Sequence, residues 1–291
     1  SESEKFAHVT FFLNGGENQP FPGEVDTCVP SLKGVPFDSK PELSLPEVAD
    51  KVVDALGKFD FIVTNFANGD VIGHTSNDKA KIEAAGHVSK ALEKVITEAK
   101  KAGYVIAVTA DHGNIEVLHT DKGKAHVAHT SNLVAFIVID PQNDKPIVMK
   151  DGSLKDIAPT VLHVMGVEQP AEMDGTDLTC GHCFGKDRKM LLIICDGWGF
   201  GDKTDNDAIW LAETPYWDHL LETEAYSSLH ASGGFVGLGD GKPGNSEAGH
   251  SNIGAGRVVP QDDIRLDSAI ADGSFMENPV LLKTVAETKK K

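Results

Sequence analysis

Two regimes of apolar patterning alternate along the chain: short unbroken apolar runs, and longer stretches with apolar residues three or four apart. A short run bounded by turn residues reads as a buried strand, and the three-to-four spacing reads as one face of a helix. Runs at residues 7–12, 59–64, 104–108, 133–139 and 190–195 predict strands, the first ending at Asn14-Gly-Gly. Helical spacing covers 46–56, where Val48, Val52, Val53 and Leu56 share a face and Gly57 stops the element. It covers 78–101, closed by Lys-Lys-Ala-Gly103, and 156–166, with Asp156 placed as an N-terminal charge. It recurs over 214–221, with Pro215 in the first turn, and in a closing helix over 278–291. Residues 19–46 are rich in Pro and Gly and predict a surface excursion. Residues 172–189 have no period and predict a linker. Strands alternating with helices predict an α/β fold, doubly wound, with a mainly parallel sheet and helices on both faces.

Composition narrows the function. The net charge of -17 excludes a nucleic-acid-binding surface, which needs a basic stripe. No apolar run is long enough to span a bilayer. Ser1-Glu-Ser-Glu-Lys-Phe lacks the basic and apolar parts of a signal peptide, so a cytoplasmic monomer is expected. Four cysteines are too few for a disulfide framework. Cys180-Gly-His-Cys183 has redox or zinc half-site spacing, but no second pair follows and it reads as part of the linker.

Candidate chemistry lies at the strand ends. Asp196 follows the 190–195 run, Asp111 the 104–108 run and Asp70 the 59–64 run. Ligands of open parallel sheets sit beyond the carboxyl ends of the strands, so these three aspartates converge. One such Asp usually caps a turn; three, two of them with histidines attached, favour a metal centre. Asp70-Val-Ile-Gly-His74 puts a carboxylate and an imidazole one helical turn apart. Asp111 and His112 are adjacent, and His126-Val-Ala-His129 lies within reach of the same edge. Oxygen and imidazole ligation without thiolate suits manganese or zinc, and magnesium less well. Ser246 stands where the Gly-rich loop 242–245 opens a helix. Taken alone it reads as an N-cap, in a place where a helix N-terminus also favours phosphate.

Five segments together resemble cofactor-independent phosphoglycerate mutase, of the alkaline phosphatase superfamily. They are Cys195-Asp-Gly-Trp-Gly199, Gly244-Asn-Ser-Glu-Ala-Gly-His250, Asn68-Gly-Asp-Val-Ile-Gly-His74, Thr109-Ala-Asp-His-Gly-Asn114 and Ala128-His-Thr-Ser-Asn132. The resemblance implies a phosphorylated nucleophile at Ser246, which also ligates one of two divalent metals. It implies Asp196, Asp111 and His112 as that metal's other ligands, and Asp70, His74 and His129 for the second. Lys5 matches a lysine that contacts the phosphoryl group. His126 is the alternative to His129; His8, His87, His163, His219 and His230 match no role, and His250 matches the serine motif without being a ligand.

The matching segments run in reversed order. Residues 1–178 resemble the family's C-terminal segment, 179–189 form a linker, and 190–291 resemble its N-terminal segment. This implies one phosphatase-type domain, 1–291, in circularly permuted order and without the transferase domain. That missing domain would orient phosphoglycerate with several arginines, and the arginines here are only Arg188, Arg257 and Arg265. The expected activity is metal-dependent phosphoryl transfer on a small phosphomonoester, the chain by itself acting as a weak phosphomonoesterase. The alternatives are a complete mutase completed by another chain and a non-catalytic metal-binding relic.

Overall fold

A computed structural model describes residues 1–143 and 145–288. Six strands among these residues form one sheet: β1 (Phe61–Phe66), β2 (Val105–Thr109), β3 (Val134–Ile139), β4 (Gly152–Ser153), β5 (Met190–Cys195) and β6 (Tyr226–His230). Their order across the sheet is β1-β5-β2-β3-β6-β4. β1, β5 and β2 are parallel neighbours, with Met190 level with Phe61 on one side and Val105 on the other. β3 runs antiparallel to both β2 and β6, and β4 is parallel to β6. The sheet is therefore mixed, mostly parallel, with β3 the reversed strand. Strand polarity is not encoded in an apolar run, which is why the 133–139 pattern left it open.

Every residue of β2, β3 and β5 is buried. Alternate strand residues face opposite sides, so full burial means that both faces are covered. The helices are α1 (Leu45–Ala55), α2 (Asn68–Gly73), α3 (Asp78–Lys101), α4 (Ile157–Met165), α5 (Ala208–Leu211), α6 (Pro215–Thr223), α7 (Ser246–Ala255), α8 (Asp262–Ala271) and α9 (Pro279–Thr288). α3 packs on α1, α2, α5 and α6, while α7 packs on α4. Burial of Ala84, Ala85, Val88, Leu92, Val95 and Ile96 along one stripe of α3 fixes that helix to the core. No helix among the described residues is long and apolar enough to cross a membrane.

Two sequence expectations change. Residues 7–12 are not a strand: His8–Phe12 form a turn of π-helix, with Leu13 N–H donating to His8 O at 3.1 Å and Thr10 Oγ1 to Phe6 O at 2.8 Å. A short apolar run does not separate a buried strand from a buried helix. Here the segment packs on α7 and β1, burying Val9, as it carries Lys5 inward. The stretch 172–189 is more than a solvated linker, because Leu178, Thr179, Phe184 and Arg188 are buried, Arg188 in an ion pair with Asp140. The closing helix is seen as α9; residues 289–291 of the predicted 278–291 helix lie outside the described residues. α8 and α9 bury no side chain within this chain.

Candidate metal centre and nucleophile

Because β1, β5 and β2 are parallel and end level, the loops after them open at one sheet edge. Asp196 directly follows β5, Asp111 lies two residues past β2, and Asp70 sits in the first turn of α2, past β1. The short α2 helix ends at His74, whose N–H donates to Asp70 O at 3.1 Å, so the two side chains lie on one face.

Ser246 is brought to the same edge by α7. It is not the N-cap: Asn245 takes that role, its side chain accepting from Ala248 N–H at 2.8 Å. Ser246 is thereby the first helical residue, and its hydroxyl is free for other partners. Lys5 Nζ donates to Ser246 Oγ at 2.6 Å, to Asp70 Oδ2 at 2.7 Å and to Asp196 Oδ1 at 2.8 Å. Ser246 Oγ lies 3.1 Å from Asp196 Oδ1 and 2.9 Å from His112 Nε2. His112 Nε2 is also 3.5 Å from Asp111 Oδ2 and 3.6 Å from Asp196 Oδ1. Asp111, His112 and Asp196 are fully buried, and Lys5, Asp70 and Ser246 nearly so. Outward, His74 and His129 form the partly exposed rim.

Asp70 also faces the two histidines. Its Oδ1 lies 3.1 Å from His74 Nε2 and 3.0 Å from His129 Nε2, and those nitrogens are 3.0 Å apart. His126 is not in this group; its carbonyl receives the Lys81 ammonium. His74 Nδ1 is 2.9 Å from Val127 O and His129 Nδ1 is 2.8 Å from Gly244 O. A carbonyl only accepts, so both Nδ1 atoms carry a proton and each Nε2 is left to face the Asp70 carboxylate: as a donor while the ring is charged, and with a lone pair free for a cation once it is neutral. Two lone pairs and a carboxylate oxygen converging in this way fit a cation, with the carbonyls orienting the rings as outer partners do in metal sites.

Charge argues the same way. Asp70, Asp111 and Asp196 are buried against one ammonium, Lys5. Buried charge without compensation is costly, so the cluster matches added positive charge. Burial opposes the charge on Lys5, but Asp196 and Asp70 outweigh it and hold the ammonium well above its usual range. For Asp196, burial followed by Asp111 pushes the carboxyl up. For Asp70, burial acts upward but His129 and His74 win, holding the carboxyl far below the carboxylate range. The ligand atoms fall into overlapping groups, Asp70–His74–His129, Asp70–His112–Asp196 and Asp111–Asp196–His250, each within 4.8 Å.

Several contributors escape a motif reading. Asn65 Nδ2 donates to Asp196 Oδ2 at 2.6 Å, and Asn114 Nδ2 to Asp70 Oδ1 at 2.9 Å. Glu116 accepts from Asn114 N–H at 2.7 Å, Gly199 N–H at 3.1 Å and Asn132 Nδ2 at 2.9 Å, tying three of the five segments together. The available signal was Asn65 itself, a polar residue inside an apolar strand.

The chain is 48% identical over 179 residues to a 2,3-bisphosphoglycerate-independent phosphoglycerate mutase of Akkermansia muciniphila, covering 61% of this chain and 35% of that protein. It is 45% identical over 178 residues to the enzyme of the same name from Moorella thermoacetica, covering 61% and 34%. The match thus spans about a third of each relative's length. Among solved structures, a crystal structure of Leishmania mexicana phosphoglycerate mutase at low cobalt concentration superposes with a TM-score of 0.56 at 28% identity, covering 61% of this chain and 36% of that one. The sequence pattern of the Metalloenzyme superfamily matches residues 1–169 and 188–289, and with these residues gathered around one buried acidic centre, the chain belongs to that superfamily.

Proposed function

We propose that this chain transfers phosphoryl groups through a phosphoserine at Ser246, with Asp196, Asp111, His112 and Ser246 holding one divalent cation and Asp70, His74 and His129 a second. The observation that carries this reading is the convergence of Lys5 Nζ, His112 Nε2 and Asp196 Oδ1 on Ser246 Oγ. The bound cations would neutralise charge on the transferring phosphoryl group. Asp196 Oδ1 accepts from the serine hydroxyl and polarises it toward losing its proton, while His112 Nε2 faces the same oxygen as a candidate cation ligand. The Lys5 ammonium at 2.6 Å stabilises negative charge as it develops on Oγ. Position at the start of α7 adds the favourable end of the helix dipole. The donor set of carboxylates, imidazoles and a hydroxyl without thiolate favours manganese, then zinc or magnesium.

The relatives' name makes phosphoglycerate the first substrate to test, within 2-/3-phosphoglycerate interconversion. Nothing among the described residues holds a carboxylated substrate with arginine. Arg188 is bound to Asp140 and Phe184 O, Arg265 pairs with Asp262, and Arg257 is exposed past the far end of α7. We therefore read the activity of the chain itself as weak phosphomonoester hydrolysis. Circular permutation of a single phosphatase-type domain, with 1–178 and 190–291 joined through 179–189, is part of the same proposal. It is supported by superfamily matches on both sides of 170–187.

Manganese-loaded chain assayed on p-nitrophenyl phosphate and 3-phosphoglycerate, beside Ser246→Ala, tests this. Hydrolysis should disappear in the variant, along with any phosphate trapped on Ser246. Equal hydrolysis by the variant would overturn the nucleophile assignment, and interconversion of 2- and 3-phosphoglycerate would replace the hydrolase reading with a mutase one.

A further inference from the structure

Behind the centre, Asn65 and His250 form a buried pair that the phosphoryl-transfer reading leaves without a role. Both are fully buried, Asn65 in β1 and His250 in α7. The Asn65 amide orientation is fixed by chemistry: its nitrogen lies 2.6 Å from Asp196 Oδ2, where the amide oxygen would meet a carboxylate oxygen. The second N–H of that nitrogen faces His250 Nε2 at 3.1 Å, so Nε2 is an acceptor and the ring proton sits on Nδ1. His250 Nδ1 then donates to Ser246 O at 2.9 Å and lies 3.2 Å from Asp111 Oδ2. Asp111 Oδ2 is buried and accepts no hydrogen bond, while Asp111 Oδ1 accepts from the His112 and Gly197 amides at 3.0 and 3.2 Å. The His8 ring lies against His250, 5.3 Å between centroids, closing the far side. Asn65 Oδ1 is left buried without a partner. An unpaired buried acceptor is a cost that an apolar side chain in β1 would avoid, so the amide is there for its two donors.

We propose that Asn65 and His250 are positioning residues: one amide group orients Asp196 and selects the His250 tautomer, and the tautomer in turn anchors Ser246 O and turns an N–H, not a lone pair, toward Asp111 Oδ2. This rests on the metal-centre reading above. Outer hydrogen bonds of this kind change metal affinity by about 10–100-fold when removed.

Long-range ¹⁵N–¹H spectra of the metal-free chain give the first test, independent of any metal. His250 should appear as one neutral tautomer protonated at Nδ1, and protonation at Nε2 would overturn the proposal. The second test is manganese titration by calorimetry of wild type and Asn65→Leu, with thermal melting of both. The variant leaves Asp196 Oδ2 and His250 Nε2 without their donor, so it should melt lower than wild type and, where folded, bind manganese about 10–100-fold more weakly. Wild-type affinity in a folded Asn65→Leu chain would sink the positioning role. Should Asn65→Leu fail to fold, the wild-type tautomer decides. Failure of the wild type itself to bind manganese would overturn the metal-centre reading, an outcome the tautomer spectrum separates from failure of the Asn65–His250 bond.

Discussion

Single residues hold the centre together through contacts that no motif announces. Glu116 is the main one, its buried carboxylate accepting from the Asn114 and Gly199 amides and from the side chains of Asn132 and Thr130. A Cβ at Gly199 would lie 2.5 Å from Glu116 Oε1, so a glycine is required for the carboxylate to come that close. Glu116→Ala would leave at least two buried amides unpaired. At about 1–3 kcal/mol for each stranded donor, the loss in unfolding free energy should be about 3 kcal/mol or more. Urea unfolding of the metal-free chain measures it, and a change below about 0.5 kcal/mol would mean water replaces the carboxylate freely. Such a residue is hard to find from sequence because its value lies in segments distant along the chain. The ligand candidates were legible for the opposite reason: Asp196, Asp111 and Asp70 each follow a strand, and parallel strands deliver their ends to one place.

Among elements, α7 places Ser246, the proposed nucleophile, and Asn245 caps α7. Its cap on Ala248 N–H leaves Ser246 Oγ to Lys5 and His112. Asn245→Ala should cost about 1 kcal/mol of stability, read by denaturant unfolding, with hydrolysis falling further as Ser246 is recruited to cap the helix. The helix also needs Gly249, where a Cβ would sit 2.6 Å from Asp111 O. Gly249→Ala should push α7 off the Asp111 loop and weaken manganese binding more than it lowers the melting temperature. Apolar runs located β1, β2, β3 and β5 within about two residues, and the 78–101 helix coincides with α3. They misread 7–12, where burial without alternation fits helix and strand equally, and they missed β6, whose Tyr-Ser-Ser-Leu-His sequence has too little apolar character. The ion pair at the end of β3 shows another contact invisible in sequence. Burial pushes the Asp140 carboxyl up, but the Arg188 guanidinium outweighs it and holds the group below the usual range. A folded value below the unfolded one adds stability above about pH 4 that is lost as pH falls through the folded value. The stability gap between wild type and Asp140→Asn should therefore shrink in acid. Urea midpoints taken from roughly pH 7 down to pH 3 check this, and a gap constant over that range would remove the ion pair from the account.

For the whole molecule, strand order decides how the two matched blocks depend on each other. β1, β2, β3 and β4 belong to the first block, β5 and β6 to the second. In the sheet order β1-β5-β2-β3-β6-β4, the second block's strands each fill a gap in the first. Without them only β2 and β3 remain paired, and β5 and β6 do not touch each other. β5 is apolar at every position and buried throughout, so each fragment alone would expose a core surface it cannot cover. The connector is open to cutting at Gly185 and Lys186, which are exposed, although Phe184 and Arg188 on either side are buried. Cleavage there should leave the halves associated, with a cooperative unfolding transition and manganese binding both retained. Expressed separately, 1–185 and 186–291 should each lack a cooperative transition, and mixing them from denaturant should restore it. Cooperative unfolding by 1–185 alone would mean that β1, β2 and β3 close a sheet without β5, and would undo the interleaving as the basis of the fold. Restoration on mixing supports the permuted reading physically, since a core assembled from two interleaved blocks is indifferent to which pair of their ends the peptide chain happens to join.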